Sequence, residues 1–480
     1  MRLTGFILCC FLGINWSIGL AQTHNYIAPN DSLVRVRLQE WQDLKFGLFM
    51  HWGPYSQWSV VESWSLCPED EGWTQRKGVY AANYFDYVKA YERLQTTFYP
   101  IQFNPQKWVD AARHAGMKYM IFTTKHHDGF CMFDSRQTDY TITNARSAFS
   151  SSPRSNVTKE IFQAFRNQGF KIGAYFSKPD WHNTDYWWPY FPPLDRNVNY
   201  DPKKYPEKWN AFKSFTYNQI EELMRDYGKV DILWLDGGWV RPLKTVDRSV
   251  SWQKSISKDQ DIDLPKIAAM ARTHQPGLIV VDRTVTGEYE NYTTPEQEVP
   301  QKPLPYPWET CMTMGNSWSY VKGDQYKSAN QLIHLLVKIV SRGGNLLLNI
   351  GPGPDGDWDP VAYQRLSEIG EWMKINSACI YDTKPIAPYS SGNVFFTQHS
   401  PKGEDSNTIF AVYLLEENGP LPAGELLING LSLGKNSKIV SLETQQELPW
   451  SINRGQLKIS LKGIYGNIKH ALVLKIVNVK

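Results

Sequence analysis

A single aspartate at the end of an apolar run is the first candidate for chemistry in this sequence. Residues 230–238 read VDILWLDGG, so four apolar side chains lead directly to Asp236 and two glycines. A continuous apolar run of this kind is typical of a parallel strand covered on both faces. In an α/β barrel, side chains at the carboxyl ends of such strands carry out catalysis. An aspartate here can also cap the following turn, so the pattern alone leaves both roles open.

Other polar and aromatic residues follow predicted strands in the same way. We expect them to surround one pocket, because the carboxyl ends of barrel strands meet at one face. Imidazole, guanidinium and carboxylate groups can hydrogen-bond sugar hydroxyls, and tryptophan offers a flat apolar surface to a sugar ring. The set therefore favours a carbohydrate site. Its members, strand by strand, are His51; His126, His127 and Asp128; Tyr175 and Ser177 with Trp181 nearby; Trp234 and Asp236; and Asp282 and Arg283.

A metal-dependent hydrolase on the same barrel is the main competing interpretation. Two histidines of one strand usually need a residue between them to hold one metal ion, because adjacent side chains point to opposite faces. His126 and His127 are adjacent, and the sequence contains neither H-x-H nor H-E-x-x-H. We therefore predict no zinc site here. The function predicted below uses neither a metal ion nor an organic cofactor.

Glycoside cleavage requires two carboxyl groups, one ionised and one able to donate a proton to the leaving group. Asp236 is the predicted nucleophile. Its partner must lie in a later loop at a strand end, and residues 287–297 supply three glutamates. Glu296 is the predicted acid/base, with Glu288, Glu290 and Glu62 as rivals. The acid must be partly buried or lie near an anion, so that its pKa is raised.

The elements that position these residues alternate along most of the chain. Apolar runs at 46–51, 118–124, 171–177, 232–236, 278–283, 309–314 and 345–351 predict strands, and helical patterns separate most of them. This alternation predicts a (β/α)₈ barrel, although no eighth strand stands out. After residue 384 short strands and turns continue without helices, and N453-R454-G455 is a hairpin signal. We therefore predict a barrel over 22–384 and a small all-β sandwich over 385–480.

Composition narrows the functional classes. A net charge of +3 over 480 residues gives no indication of nucleic-acid or anionic-membrane binding. Residues 1–21 combine Arg2, a short apolar run and a small-residue ending, which predicts a signal peptide and a secreted or periplasmic protein. The predicted mature chain keeps Cys67, Cys131, Cys311 and Cys379, whose wide spacing leaves disulfides possible without assigning them.

Several separate motifs resemble the family 29 glycoside hydrolases, the retaining exo-acting α-L-fucosidases. They occur in the family's order over nearly the whole predicted mature chain: KFGLFMHWG at 45–53, KHHDGF at 125–130, GAYFS at 173–177, LWLDG at 233–237, DR at 282–283 and NLLLNIGP at 345–352. The resemblance implies a barrel with an accessory β-domain.

The same resemblance implies roles for individual residues. Asp236 would be the nucleophile, and the first sugar subsite would be formed by Phe49, His51, His126, His127, Tyr175, Trp234 and Arg283. Trp318 falls where the family places an aromatic residue against the C5 substituent. The acid/base segment is the least regular part of the family. The usual E-W-Y of the first loop reads Glu62-Ser63-Trp64 here, which leaves the roles of Glu62 and Trp64 open.

The expected function is therefore removal of terminal α-L-fucose from glycans by double displacement. One alternative is an exo-α-L-galactosidase of the same family that acts on algal galactan oligosaccharides, since L-galactose is fucose with a hydroxyl at C6 and an apolar pocket rejects one hydroxyl only weakly. A non-catalytic fucose-binding protein is the alternative from another class. The sequence predicts a carbohydrate partner and leaves linkage preference and oligomeric state open.

Overall fold

The computed structural model describes residues 25–68, 76–399, 408–464 and 468–477. The predicted signal peptide lies outside these residues. Eight α-helices occur in the described chain, in the order α1 (Ser32–Leu44), α2 (Tyr84–Glu92), α3 (Pro105–His114), α4 (Val157–Asn167), α5 (Pro206–Asp226), α6 (Leu264–His274), α7 (Ala329–Val340) and α8 (Pro360–Asn376). No helix in these ranges is both long enough and apolar enough to cross a lipid bilayer.

Seven parallel strands form the first sheet of the described chain. In spatial order they are β5, β4, β3, β2, β1, β7 and β6. All seven fall where apolar runs predict them, because a parallel sheet covered by helices buries both of its faces. Their bounds are β1 (Phe46–Met50), β2 (Tyr119–Lys125), β3 (Lys171–Ser177), β4 (Ile232–Asp236), β5 (Ile279–Asp282), β6 (Glu309–Thr313) and β7 (Asn345–Asn349).

An irregular segment, residues 289–297, connects the two edges of this sheet. On one side, Asp282 N donates to Tyr289 O and Asn291 N to Val280 O; on the other, Glu309 N donates to Thr293 O and Cys311 N to Pro295 O. The edge strands β5 and β6 therefore both find backbone partners in this segment, which takes the place of a regular eighth strand. The predicted barrel is confirmed, with this segment completing its circumference.

Alternation along the strands decides which side chains enter the barrel. Ile232 and Trp234 belong to a buried aromatic and aliphatic cluster that also contains Phe49 and Tyr175. Because side chains alternate along a strand, Asp236 follows Ile232 and Trp234 on this inner face. Helix α1, which the sequence analysis did not predict, contributes Trp41, whose ring stacks on Tyr292 at 3.9 Å within the same cluster.

The remaining strands are antiparallel and form two sheets, of five and three strands. They are β8 (Thr383–Ser391), β9 (Val394–His399), β10 (Ile409–Leu414), β11 (Glu425–Asn429), β12 (Lys438–Ser441), β13 (Trp450–Asn453), β14 (Gln456–Ser460) and β15 (Ala471–Val477). The predicted hairpin joins β13 to β14, and both Arg454 and Gly455 have positive φ, as a two-residue hairpin turn requires. Strand β8 begins at Thr383, while the predicted domain boundary after residue 384 stays a prediction.

Candidate active site

A cavity of about 530 Å³ opens at the carboxyl ends of the barrel strands. Of the residues to which the family resemblance gives a catalytic or sugar-binding role, all except His127 line this cavity. The predicted residues along its wall are Phe49, His51, Glu62, Trp64, His126, Tyr175, Trp234, Asp236, Arg283, Glu296 and Trp318.

Two side chains hold Asp236 at the end of β4, and a third lies beside it. Its Oδ2 accepts a hydrogen bond of 2.8 Å from the Tyr175 hydroxyl, its Oδ1 lies 3.2 Å from Nη1 of Arg283, and His127 Nε2 lies 3.8 Å from Oδ2. Burial alone would raise the pKa of Asp236, but Arg283 above all, with His127, Tyr175 and the Gly237 N–H, holds it well below its usual value. The carboxylate is therefore ionised across the physiological range, as a nucleophile must be.

The residue after Asp236 must be glycine. Gly237 has φ +86°, and a Cβ at this position would overlap the ring of Pro179. The left-handed conformation turns the chain sharply away from β4, which leaves the Asp236 carboxylate at the open end of the strand.

A single guanidinium connects the two predicted catalytic carboxylates. Arg283 directs Nη1 to Asp236 Oδ1 and Nη2 to Glu296 Oε2. Burial alone would lower the pKa of Arg283, but Glu296 and Asp236 raise it well above its usual value, so the arginine stays charged. The side chain of Asp236 is 15% exposed and that of Glu296 41%. One carboxylate is therefore enclosed at the base of the cavity, and the other lies toward solvent.

Three buried histidines supply neutral hydrogen-bonding groups. Burial is the first cause that lowers their pKa, to about 4 for His51 and His127 and well below the usual value for His126, which also has His127 and His51 beside it. Since His127 is neutral above about pH 4, Arg283 is the charge that acts on Asp236 near neutrality.

Hydrogen bonds from behind the cavity set the tautomers of two of these rings. Ser177 Oγ donates to Pro179 O, so His127 Nδ1 donates to Ser177 Oγ at 2.6 Å. His51 Nδ1 likewise donates to Asn349 Oδ1 at 2.8 Å, because Asn349 Nδ2 is used on Trp318 O. In both rings Nε2 is then left as an acceptor for a hydroxyl group.

Glu62 adds a third carboxyl group to the wall, in the protonated form. Its Oε1 accepts a hydrogen bond of 2.7 Å from Ser319 N, and the residue is only 1% exposed. Burial is the main cause that raises the pKa of Glu62 to about 8, with smaller contributions from Glu296 and Asp236. A neutral carboxylic acid can donate a hydrogen bond to a sugar hydroxyl without adding charge beside the nucleophile.

Aromatic rings form the apolar part of the wall. Phe49 lies edge-on to Trp234 at 5.2 Å and to Trp318 at 6.1 Å between ring centroids, and Trp318 also contacts His51 at 5.2 Å. A cavity with this apolar side and the polar groups above is suited to a sugar that carries an apolar substituent.

Comparison with known proteins identifies the family. The alpha-L-fucosidase family model matches residues 17–378. The chain belongs to the alpha-L-fucosidase family. It is a glycoside hydrolase, as the sequence motifs imply, and it is similar along most of its length to characterised members.

Three similar proteins illustrate the match. Human plasma alpha-L-fucosidase is 30% identical over 376 residues, which cover 74% of this chain and 71% of that protein. The structure of alpha-L-fucosidase isoenzyme 1 from Paenibacillus thiaminolyticus has a TM-score of 0.74 and 26% identity, covering 94% of this chain and 100% of that one. The Thermotoga maritima alpha-fucosidase in complex with fucose has a TM-score of 0.69 and 26% identity, covering 92% and 98%.

Several strand-end residues that the sequence grouped with this fucosidase site do not line the cavity. Asp282 pairs with Lys178 at 2.5 Å, because it alternates with the inward-facing Arg283. Asp128 is buried and accepts from the Tyr91 hydroxyl at 2.8 Å. Ser177 lies behind His127, and Trp181 packs on the rings of His127 and Trp64.

Two of the rival glutamates also lie elsewhere. Glu290 is buried and its Oε1 accepts from Thr284 N at 3.2 Å, and Glu288 Oε1 accepts from Asn30. Neither lines the cavity, in contrast to Glu62 and Glu296. The assignment of the acid/base to Glu296 stays a prediction, now with Glu62 as the rival that shares the cavity.

Other parts of the cavity wall were not predicted from the sequence. Arg196, Trp239, Trp252 and Thr284 line the cavity from the loops after β3, β4 and β5. Trp239 and Trp252 could have been predicted, since both lie in the loop that follows β4, the strand that ends at Asp236. The position of Arg196, 40 residues along the chain before Asp236, depends on the folded loop alone.

His126, His127 and Asp236 offer ligand atoms within 4.8 Å of one another, the one such group found in the described residues. The structure gives these atoms other partners. His127 Nδ1 is bonded to Ser177, Asp236 accepts from Tyr175, and the Arg283 guanidinium lies 3.2 Å from the same carboxylate. A cation held here would face a fixed positive charge, so the group fits a sugar better than a resident metal ion.

The four cysteines, Cys67, Cys131, Cys311 and Cys379, are free and buried. The disulfides left open by their spacing are therefore not formed in this structure. Cys311 lies at the cavity wall, where burial above all raises the pKa of its thiol well above the usual value.

Proposed function

We propose that this protein removes terminal α-L-fucose from glycans with retention of configuration, using Asp236 as nucleophile and Glu296 as acid/base. One observation carries the proposal: the two carboxylates contact the two ends of the same Arg283 guanidinium at the wall of one cavity. Such a fork brings both carboxylates to one place in the cavity wall, as a reaction with a nucleophile and an acid/base requires.

In the first step, an Asp236 oxygen attacks C1 of the fucosyl group and the C1–O bond to the leaving group breaks. Glu296 gives its proton to the departing oxygen, and a glycosyl ester forms on Asp236. The Tyr175 hydroxyl and Arg283 hold the attacking carboxylate in place. The more exposed position of Glu296 suits it to meet the leaving group and, later, water.

In the second step, Glu296 removes a proton from water, which attacks C1 and releases Asp236. The Nε2 acceptor of His51 and the protonated Glu62 can bind ring hydroxyls throughout both steps without a change of charge. Two inversions at C1 then give α-L-fucose as the first product.

The apolar side of the cavity supports fucose as the sugar. Phe49 and Trp318 present aromatic rings where a C5 methyl group would be buried, and an added C6 hydroxyl would lose its hydration there. The similar proteins are named alpha-L-fucosidases, and the Thermotoga maritima enzyme was crystallised with fucose. The L-galactosidase alternative therefore has less support.

We also propose that the protein is exported, on the basis of the leader-like residues 1–21. Expression of the full chain in a bacterial host, followed by N-terminal sequencing of the protein released from the periplasm, tests this. A start near residue 22 supports export. A full-length chain that stays in the cytoplasm contradicts it.

The test of the activity compares 4-nitrophenyl α-L-fucoside with 4-nitrophenyl α-L-galactoside and follows the first anomer of the product by NMR. We expect higher kcat/KM for the fucoside and initial release of the α-anomer. Initial β-anomer would overturn the retaining mechanism. Higher kcat/KM for the galactoside would favour the alternative sugar, and fucose binding without turnover would favour a lectin-like role.

A further inference from the structure

The cavity extends past the residues that would hold the terminal sugar. Trp252 lines it and is 38% exposed, the only tryptophan that is so exposed among residues 25–68, 76–399, 408–464 and 468–477. Thr284 and Trp239 line the same cavity. A large apolar ring left exposed at the rim of an active site commonly marks a contact with a ligand.

The loop that carries Trp252 is held firmly in position. Arg241, only 2% exposed, donates to Gly238 O after β4, to Gln253 Oε1 at 3.1 Å beside Trp252, and to Thr284 O at 2.7 Å after β5. Its guanidinium carbon lies 5.3 Å from the centre of the Trp252 ring. A buried cation therefore fixes the exposed ring before any ligand binds, which reduces the entropy cost of binding.

The same connections link Trp252 to the loop after β5. Thr284, which accepts from Arg241, directly follows Arg283, and Arg283 contacts Glu296. The leaving-group oxygen must approach Glu296 to receive its proton, so the leaving group occupies this side of the cavity.

A second aromatic surface bounds the same space. The Trp239 ring is fixed by a hydrogen bond of 3.1 Å from its Nε1 to the Tyr186 hydroxyl, and the Arg196 guanidinium lies over the rings of Trp64 and Trp239 at 4.9 and 5.6 Å. Trp239, Trp252 and Thr284 carry no formal charge, and the Arg196 guanidinium is a charged group beside Trp239. This composition suits a ring with one apolar face and hydroxyl groups at its edge.

We propose that Trp252, supported by Arg241, forms a subsite for the sugar next to the terminal fucose. The expected ligand is a hexopyranose whose apolar face stacks on the indole ring. The proposal rests on the proposed function, because it assigns the leaving group of that reaction. It makes the protein an enzyme for fucosylated oligosaccharides in preference to fucosides with small leaving groups.

The experiment compares a fucosylated disaccharide with α-L-fucosyl fluoride, whose leaving group is a single atom that cannot reach Trp252. For Trp252→Ala, we expect the ratio of kcat/KM for the disaccharide to that for the fluoride to fall by roughly tenfold. Trp252→Phe should restore most of this ratio, since it keeps a flat ring. Phe85→Ala removes an exposed aromatic ring from α2 and serves as the matched control, with an unchanged ratio.

An unchanged ratio in Trp252→Ala, with a folded protein by circular dichroism, would overturn the subsite. An equal loss on both substrates would also overturn it, because the residue would then act on the shape of the whole site. If the wild-type protein releases no fluoride from fucosyl fluoride, the proposed function fails. That result is separate from a failure of the subsite, which concerns only the ratio in an active enzyme.

Discussion

The two predicted catalytic carboxylates belong to very different parts of the barrel. Asp236 ends β4, whose neighbours β3 and β5 pair with it in continuous parallel register. Glu296 lies in segment 289–297, which forms isolated bridges rather than a regular strand. The nucleophile is therefore positioned by the sheet, while the acid/base is positioned by a segment that completes the barrel and by its contact with Arg283.

This difference fits the two tasks. The nucleophile must attack one carbon atom, so it gains from a rigid strand end and from the fixed Tyr175 hydroxyl and Arg283 guanidinium. The acid/base serves first the leaving group and then water, and its side chain is 41% exposed against 15% for Asp236. A less regular segment leaves room for leaving groups of different shapes.

The largest effect should follow a substitution of Asp236, at the rigid end of β4. Asp236→Asn keeps the shape of the side chain and an acceptor for Tyr175 but removes the nucleophile. We expect kcat to fall on the order of 10⁴-fold or more, measured with 4-nitrophenyl α-L-fucoside. Asp110→Asn, on the exposed side of α3, is the matched control. Near-normal turnover in a folded Asp236→Asn protein would reject the assignment.

A smaller effect that depends on the leaving group should follow a change in the irregular segment. We expect Glu296→Gln to lower kcat/KM for a fucosylated disaccharide by about 10²–10⁴-fold, because the departing hydroxyl needs a proton. Fucosyl fluoride needs little proton donation in the bond-breaking step, so its kcat/KM should fall much less.

Glu288→Gln is the matched control for Glu296→Gln, since Glu288 belongs to the same stretch but does not line the cavity. We expect it to behave as wild type with both substrates. If Glu62→Gln shows the leaving-group dependence in place of Glu296→Gln, the acid/base assignment moves to the first loop.

The smallest effect is a change in how kcat/KM depends on pH, which we attribute to Glu62. Its pKa of about 8 means that it ionises as the pH rises through 8 and places a new negative charge near Asp236 and Glu296. We expect the kcat/KM of the wild type to decline above about pH 8. Glu62→Gln keeps an oxygen for Ser319 N and cannot ionise, so its alkaline decline should weaken, while activity near neutrality stays within about tenfold.

The free energy of unfolding should also fall as the pH rises, because of Glu62. Between its ordinary pKa of 4.5 and its folded value of about 8, Glu62 keeps a proton that the unfolded chain releases. Its contribution to stability is thus fully present below pH 4.5 and is lost as the pH rises through 8. Denaturant unfolding of wild type and Glu62→Gln at pH 5 and 8 measures this. Equal pH dependence in both proteins would contradict the buried, protonated state of Glu62.

Residues on regular strands could be predicted from the sequence, whereas those in irregular segments could not. Positions 232, 234 and 236 alternate on one strand, so a nucleophile at its open end could be predicted from the apolar run. The same alternation shows why Arg283 enters the cavity and its neighbour Asp282 does not, a distinction that the strand-end rule alone did not make. The choice among Glu288, Glu290 and Glu296 depended on a segment with no periodicity to read.

The sequence by itself determined the seven parallel strands, the family and the chemical identity of the site, because apolar runs and local motifs act over a few residues. Only the tertiary structure decided that residues 289–297 complete the barrel, that Arg283 joins two carboxylates 60 residues apart, that Glu62 is protonated, and that Trp252 lines the cavity. The physical reason is that burial, charge pairing and the shape of a cavity arise between distant segments, and no local pattern encodes them.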